Sequence, residues 1–278
     1  MTAEPLVEPP GESPVTRARR VFAAYLLAFA GYLLLSLVAM EILVEVYQDV
    51  APEDLLLSLP AILAGGLASA TALMLALVTA VRPLEAERLR LRPGRETGRG
   101  LAAIVVGTLA LGQMLDSAIA LLGLARHGTM DVIRRALEGA TGSDLFAAVL
   151  VIGPIAGSVE EIFFRGYMQT ALARAWRPAV AVVVTAAAFA LMHLDWVHTP
   201  LALAIGLWLG VATERTGSAL PAVAAHVINN TVFALLTAAG GTIHGAVPNL
   251  VAGGVAAAVF AGCVVTLLRG GTTEPGPA

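Results

Sequence analysis

Eight long apolar segments are the feature that most constrains the fold of this chain. A helix that crosses the hydrocarbon core of a bilayer needs about 20 apolar residues, with a range of about 17–25. The fifth and sixth segments are short for this role and are predicted to be tilted, extended at their ends or incompletely spanning. The predicted segments are 21–43, 56–81, 100–124, 145–172, 179–194, 199–213, 219–239 and 247–268.

The composition supports the same class of protein. Of the 278 residues, 58% are hydrophobic and 13% are charged, which is about half the charged fraction of a soluble domain. The predicted fold is therefore all-α: a polytopic transmembrane helix bundle of about eight helices. Residues 17–270 are predicted to form one membrane domain between disordered tails at 1–16 and 271–278. The net charge of −3 does not suggest a nucleic-acid partner.

The distribution of arginine predicts the topology. Consecutive spanning segments alternate sides, and cytoplasmic loops are enriched in basic residues. The side with few arginines has Arg126, Arg134 and Arg135 and an acidic first loop. Both termini are therefore predicted to be cytoplasmic, in a bacterial cytoplasmic membrane. The thirteen arginines on the predicted cytoplasmic side are Arg17, Arg19, Arg20, Arg82, Arg88, Arg90, Arg92, Arg95, Arg99, Arg174, Arg177, Arg215 and Arg269.

The stretch VEEIFFRG places three charges near the middle of the fourth segment. Glu160 lies about 22 Å from the start of that segment, where an ionisable group costs about 2.5–3.5 kcal/mol on insertion scales. Glu161 and Arg165 are four residues apart, so they share a helix face and are predicted to pair. Glu160 is turned about 100° away and is predicted to point to a reaction site. The alternative is one buried network of all three charges.

Two later segments carry polar residues at helical spacing. Phe189 and His193 lie four apart in FALMH, and His226 and Asn230 lie four apart in HVINN. Such groups must point into the bundle or into a water-filled cavity. With Glu160 they fit one chemistry. Glu160 and His193 would activate a water as general base, and His226 with Asn230 would stabilise the oxyanion formed when that water attacks a peptide carbonyl. Whether Glu160 or Glu161 is the essential base is left open.

The predicted depths of the two histidines differ. In straight helices perpendicular to the membrane, His226 would lie about 10 Å from the cytoplasmic end and His193 about 23 Å from it. A shared site requires them at one level. Asp195 and His198 fall in the connector after the fifth segment and are expected to be solvated, and Asp116 in the third segment is a candidate cavity residue.

Zinc is the alternative to a metal-free site. Glu160, His193 and His226 form a legitimate zinc set with one open position. The chain has no HExxH motif, so the spacing does not specify the metal. No metal ligand is therefore assigned, and zinc is kept as the candidate cofactor.

The three motifs in order resemble those of the CPBP family, which contains CAAX prenyl endopeptidases and bacteriocin-processing proteins. EExxxR matches EEIFFR at 160–165, FxxxH matches FALMH at 189–193, and HxxxN matches HVINN at 226–230. Each motif alone is weak, but the three in order in apolar helices are specific. The resemblance covers residues 100–240 and implies an intramembrane endopeptidase. The predicted catalytic residues are Glu160, Glu161, His193, His226 and Asn230, supported by Arg165 and Phe189.

The predicted partners are the lipid bilayer and a membrane-associated peptide or protein substrate; the oligomeric state is not predicted. Two other functions fit some of the residues. A proton-coupled transporter also uses glutamate and histidine within the membrane, and a non-catalytic scaffold or immunity protein would need none of this chemistry. The intact motifs and the absence of an internal sequence repeat favour the peptidase over these alternatives.

Overall fold

The computed structural model describes residues 12–269, and within them the secondary structure is entirely helical. The predicted all-α membrane bundle is confirmed. The ten helices of the described residues are α1 (Pro14–Val46), α2 (Pro52–Leu55), α3 (Leu59–Ala80), α4 (Gly98–Leu121), α5 (Gly128–Leu137), α6 (Gly142–Ala173), α7 (Pro178–Leu191), α8 (His198–Thr216), α9 (Leu220–Ala238) and α10 (Ala246–Arg269).

Each of the eight predicted apolar segments corresponds to one of the longer helices. Six of them, α1, α3, α4, α6, α9 and α10, are long and apolar enough to cross a membrane. The chain is thus a multi-pass integral membrane protein. Helix α7 has only 14 residues, about 21 Å at 1.5 Å per residue, which is shorter than the hydrocarbon core of about 30 Å.

The ends and connectors differ in detail from the expected pattern. Helix α1 begins at Pro14, after an N-cap at Ser13, and so starts inside the predicted N-terminal tail. Residues 1–11 of that tail and the predicted tail at 271–278 lie outside the described residues. The connection between the third and fourth segments contains the short helix α5, and residues 83–94 form turns and bends.

Helix α6 is irregular on both sides of its two glutamates. Val151–Gly157 and Ile162–Gln169 are π-helical and flank the α-helical turn Ser158–Glu161. Pro154 lies within the first π segment. Proline has no backbone N–H to donate and disfavours regular α-helical bonding. Wide turns of this kind occur often at functional sites.

The centre of α6 packs closely against α9 through small residues. A Cβ atom on Gly157 would lie 3.3 Å from the Val227 nitrogen, and one on Gly153 would collide with the Thr231 hydroxyl. The glycines spaced four apart therefore permit a close helix contact, as their spacing predicts. The most extensive helix contacts are those of α4 with α10 and of α1 with α3.

We predict that Gly157→Leu destabilises the protein by about 1–3 kcal/mol, the usual cost of overpacking a tight contact. Gly254→Leu in α10 is the matched control, because no atom lies within 4 Å of a Cβ built there. The measurement is the thermal unfolding midpoint of the detergent-solubilised variants. Equal midpoints for the two variants would contradict the close α6–α9 contact.

Candidate active site

A buried ion pair lies at the centre of the bundle. The Arg165 Nη1 donates to Glu161 Oε1 at 2.7 Å, and neither side chain is exposed. The same guanidinium donates to the carbonyl of Gly206 in α8 at 3.0 Å and lies 4.7 Å from the centroid of the Phe189 ring in α7. The predicted pairing of Glu161 with Arg165 is therefore present, and it joins three helices.

His226 extends this network to α9. Its Nδ1 lies 2.7 Å from Glu161 Oε1. Since a carboxylate paired with arginine only accepts hydrogen bonds, Nδ1 carries the proton and donates it. The opposite ring nitrogen, Nε2, lies 3.7 Å from Glu160 Oε2. Glu161 thus keeps a proton on Nδ1 of His226 and turns Nε2 toward Glu160.

Glu160 and Glu161 lie in different surroundings. The side chain of Glu161 is fully buried, whereas that of Glu160 is 17% exposed. Glu160 borders a cavity of about 780 Å³ that Glu161 and Arg165 do not reach. The consecutive glutamates therefore divide between a buried network and an open chamber. The other motif residues at the cavity wall are Phe189, His193, His226 and Asn230.

His193 shares this site despite its different predicted depth. It follows the end of α7, and its Nδ1 donates to the Phe189 carbonyl at 3.0 Å. In the neutral ring this leaves Nε2 as an acceptor. The Phe189 ring centroid is 4.9 Å from that of His193 and 5.8 Å from that of His226. The Phe189 ring thus contacts both histidine rings, and these lie close to each other. The different depths predicted for His193 and His226 assumed straight helices that start at one level, and this assumption is wrong.

Asn230 faces the cavity and is tied to α6. Its Nδ2 donates to the Ile152 carbonyl in the first π segment at 3.1 Å, which leaves the second amide hydrogen for another acceptor. Asn229, which also lines the cavity, donates to Asn230 Oδ1 at 3.3 Å. The amide plane of Asn230 is therefore held at both of its polar atoms.

His198 was expected to be solvated, and this expectation is wrong. It lies at the cavity wall, and its ring centroid is 4.3 Å from that of His193. The connector after α7 is short and turns back beside the site, so both histidines face the same space. The short fifth and sixth segments were the sequence signal for this arrangement.

Asp116, the candidate cavity residue of the third segment, also lines the cavity, where it pairs with Arg134 of α5.

Asp195 is partly exposed and organises this connector. Its Oδ1 accepts hydrogen bonds from the backbone amides of Val197 and His198, and its Oδ2 accepts one from Thr129 at the start of α5. Burial raises the pKa of the Asp195 carboxyl, but the bonds from these three amides outweigh it and leave the pKa below its ordinary value. Asp195 is therefore a carboxylate at neutral pH, and it holds α5 over the site.

The zinc alternative concerns Glu160, His193 and His226. Across residues 12–269, no three His, Cys, Asp or Glu side chains are arranged to hold a metal ion. Nδ1 of His226 is already bonded to Glu161, whereas its Nε2 lies 3.7 Å from Glu160 Oε2, a separation that two ligands of one zinc ion can have. Zinc therefore stays a prediction.

Comparison with known proteins gives a family match over the helices that carry these residues. Residues 142–232, which contain all three motifs, match the family model described as type II CAAX prenyl endopeptidase Rce1-like. The predicted resemblance to the CPBP family, to which CAAX prenyl endopeptidases belong, is confirmed over the helices that carry the site. The match includes α6 to α8 and most of α9, and excludes α1, α3, α4 and α10.

A relative from Bacillus subtilis (strain 168), named uncharacterized protein YyaK, is 27% identical over 118 residues. The aligned part is 38% of this chain and 38% of that protein, so the chain spans well under two thirds of the relative's length. No solved structure matches the chain.

We predict that Arg165→Met destabilises the protein by about 3–5 kcal/mol, because it leaves the Glu161 carboxylate buried without its counter-charge. Adding Glu161→Gln should restore part of the loss, since replacing both charges of a buried pair is often close to neutral. Thermal midpoints in detergent measure both effects.

The matched control for this cycle is Arg92→Met, which removes an arginine whose side chain is 67% exposed. Exposed ion pairs contribute about 0–1 kcal/mol, so this variant should unfold near the wild-type temperature. A double variant no more stable than Arg165→Met alone would show that the two charges do not depend on each other.

Proposed function

We propose that this protein is an intramembrane endopeptidase in which Glu160 is the general base. The observation that carries the proposal is the division between the two glutamates. Glu161 is enclosed by Arg165 and His226, whereas Glu160 opens onto the cavity beside both histidines. Only Glu160 of the two can meet a water and a substrate without breaking the buried network.

The first step is attack of water on the peptide carbonyl. A water held between the Glu160 carboxylate and Nε2 of His193 transfers a proton to Glu160 as its oxygen bonds to the carbonyl carbon. Both acceptors lie at the wall of one chamber, and the Phe189 carbonyl keeps Nε2 of His193 unprotonated in the neutral ring. A positioned base of this kind contributes about 10²–10⁴-fold to the rate.

The second step is collapse of the tetrahedral intermediate. Its oxyanion accepts hydrogen bonds from Nε2–H of protonated His226 and from the free amide hydrogen of Asn230. The C–N bond then breaks, and Glu160 returns its proton to the leaving amine, so the base is regenerated. Donors fixed before the reaction stabilise this charge strongly in a low-dielectric site. Glu161 and Ile152 fix these two donors.

The substrate class follows from the setting of the site. The cavity is lined mainly by apolar side chains of several membrane helices, so the scissile bond must belong to a peptide or protein associated with the membrane. The apolar wall of the cavity would hold apolar side chains next to the scissile bond.

We predict that Glu160→Gln lowers cleavage by about 10²–10⁴-fold without lowering the thermal midpoint, because it removes the base but leaves the buried network intact. Glu161→Gln should lower both activity and midpoint. Cleavage of a library of membrane-anchored peptides by purified protein, read by mass spectrometry, measures the activity. If Glu160→Gln cleaves as well as wild type, Glu160 is not the base; if well-folded wild type cleaves nothing while driving proton-coupled uptake in liposomes, the transporter replaces the peptidase.

Asn230→Ala should reduce kcat by about 10²–10³-fold, the usual effect of losing one oxyanion donor, with a smaller change in KM. The matched control is Asn249→Ala, which removes a buried asparagine that bonds only Ile243 and Gly245 carbonyls and does not reach the cavity. A comparable loss of kcat in the control would assign the effect of Asn230 to folding.

Cleavage should survive treatment with a strong chelator, since the proposed steps use only side chains of this chain. The same purified sample is assayed before and after chelation, and again after addition of zinc. Loss on chelation with recovery on zinc would make the protein a metalloprotease and overturn this form of the mechanism.

A further inference from the structure

The cavity occupies one end of the bundle only. In α1, α4 and α9 its lining residues lie in the central and C-terminal parts, and in α3, α6 and α8 they lie in the central and N-terminal parts. Because consecutive membrane helices alternate direction, all these parts are at the same end. The first and last cavity residues in three of these helices are Tyr32 and Leu43 in α1, Ala61 and Ser69 in α3, and His226 and Thr237 in α9.

The rim of the cavity is accessible at that end. Leu56 and Leu57, next to α2, are 58% and 55% exposed, and Leu236 near the end of α9 is 54% exposed; all three line the cavity. The connector after α7 places His193 and His198 at the cavity wall. Helix α5 covers part of the cavity and is held there by the hydrogen bond from Thr129 N to Asp195.

The opposite end of the bundle is closed. The connection from α3 to α4 lies across it: Arg95 N donates to the Thr216 carbonyl at 2.7 Å, and Ala219 N donates to the Arg90 carbonyl at 2.8 Å. The Arg90 guanidinium also pairs with Glu214 at 2.7 Å. We call this connection, residues 81–97, the strap. Between the strap and the catalytic groups, α6 is buried at every residue from 163 to 169.

The strap and the cavity rim carry opposite electrostatic character. The closed end is the one with thirteen arginines, whereas the cavity end has three, together with the acidic residues of the first loop. Arginine-rich connections remain in the cytoplasm when a bundle inserts. The closed end of the bundle is therefore the arginine-rich end, and the open end is the one poor in arginine.

We propose that the cavity admits its substrate from the extracytoplasmic side of the membrane. On the basis of the proposed peptidase function, the substrate is then the scissile segment of a membrane-anchored polypeptide that is exposed outside the cytoplasm. The C-terminus of a cytoplasmic protein would have to pass the strap and the buried part of α6. The side of access does not change the chemistry of the site. It determines which polypeptides can reach Glu160.

The test is the reaction of single cysteines with a charged, membrane-impermeant maleimide. Cys263 is the one native cysteine and is replaced by alanine. Leu57→Cys then probes the rim, Ala64→Cys the cavity wall, and Arg92→Cys the arginine-rich end. Each variant is labelled in intact spheroplasts and in inverted membrane vesicles. Leu67→Cys is the matched control on α3, because Leu67 is 44% exposed but does not line the cavity.

We expect Leu57→Cys and Ala64→Cys to be labelled in spheroplasts, Arg92→Cys to be labelled only in inverted vesicles, and Leu67→Cys to be labelled in neither. Labelling of Ala64→Cys only in inverted vesicles, or from neither side, overturns the proposal. So does labelling of Arg92→Cys in spheroplasts, since the bundle would then be inverted.

This experiment does not depend on catalysis. Adding Glu160→Gln to each cysteine variant should leave the labelling pattern unchanged, so a failure of the proposed peptidase activity is distinguished from a failure of the proposed access side.

Discussion

The bundle depends on the buried pair between Arg165 and Glu161. Two charges without access to water are costly, and each needs both a counter-charge and further hydrogen-bond partners. Those partners come from separate helices: the Gly206 carbonyl from α8, the Phe189 ring from α7 and the His226 ring from α9. The pair therefore fixes how four helices converge, and an error in any one of them would leave a charge unsatisfied in an apolar interior.

The site uses what this network leaves free. One carboxylate oxygen of Glu161 receives both the guanidinium and the imidazole, so the adjacent glutamate is not needed for structure. Consecutive residues of a helix diverge by about 100°, which turns Glu160 out of the network and toward the cavity. The π segments on either side, and the bond from Asn230 to the Ile152 carbonyl, join this part of α6 to the polar face of α9. Structural and chemical roles are thus separated by one position in the sequence.

Much of this could be predicted from the sequence because hydrophobicity and helical spacing are local properties. The apolar segments, the pairing at four-residue spacing and the three motifs all depend on residues close together in the chain. The roles of His198 and Asp195 could not, because they depend on how far α7 penetrates. A connector is normally solvated, but α7 has only 14 residues, which is too short to cross the hydrocarbon core, and its connector lies beside the cavity. The short length of α7 also accounts for the difference between the depths predicted for His193 and His226.

The shortness of α7 would also meet a requirement of the proposed hydrolysis within a membrane. Water must reach the reacting carbonyl, yet the hydrocarbon core excludes it, and polar backbone at that depth is tolerated only where it is buried in protein or lines a cavity. A connector that follows a helix too short to span would open such a cavity from one side while the other side stays packed. Here the amides of that connector are satisfied by Asp195, which also holds α5 in place. The cavity that would supply water to Glu160 therefore follows from a helix, α7, that is too short to span. The direction in which α7 runs determines which side of the cavity is open.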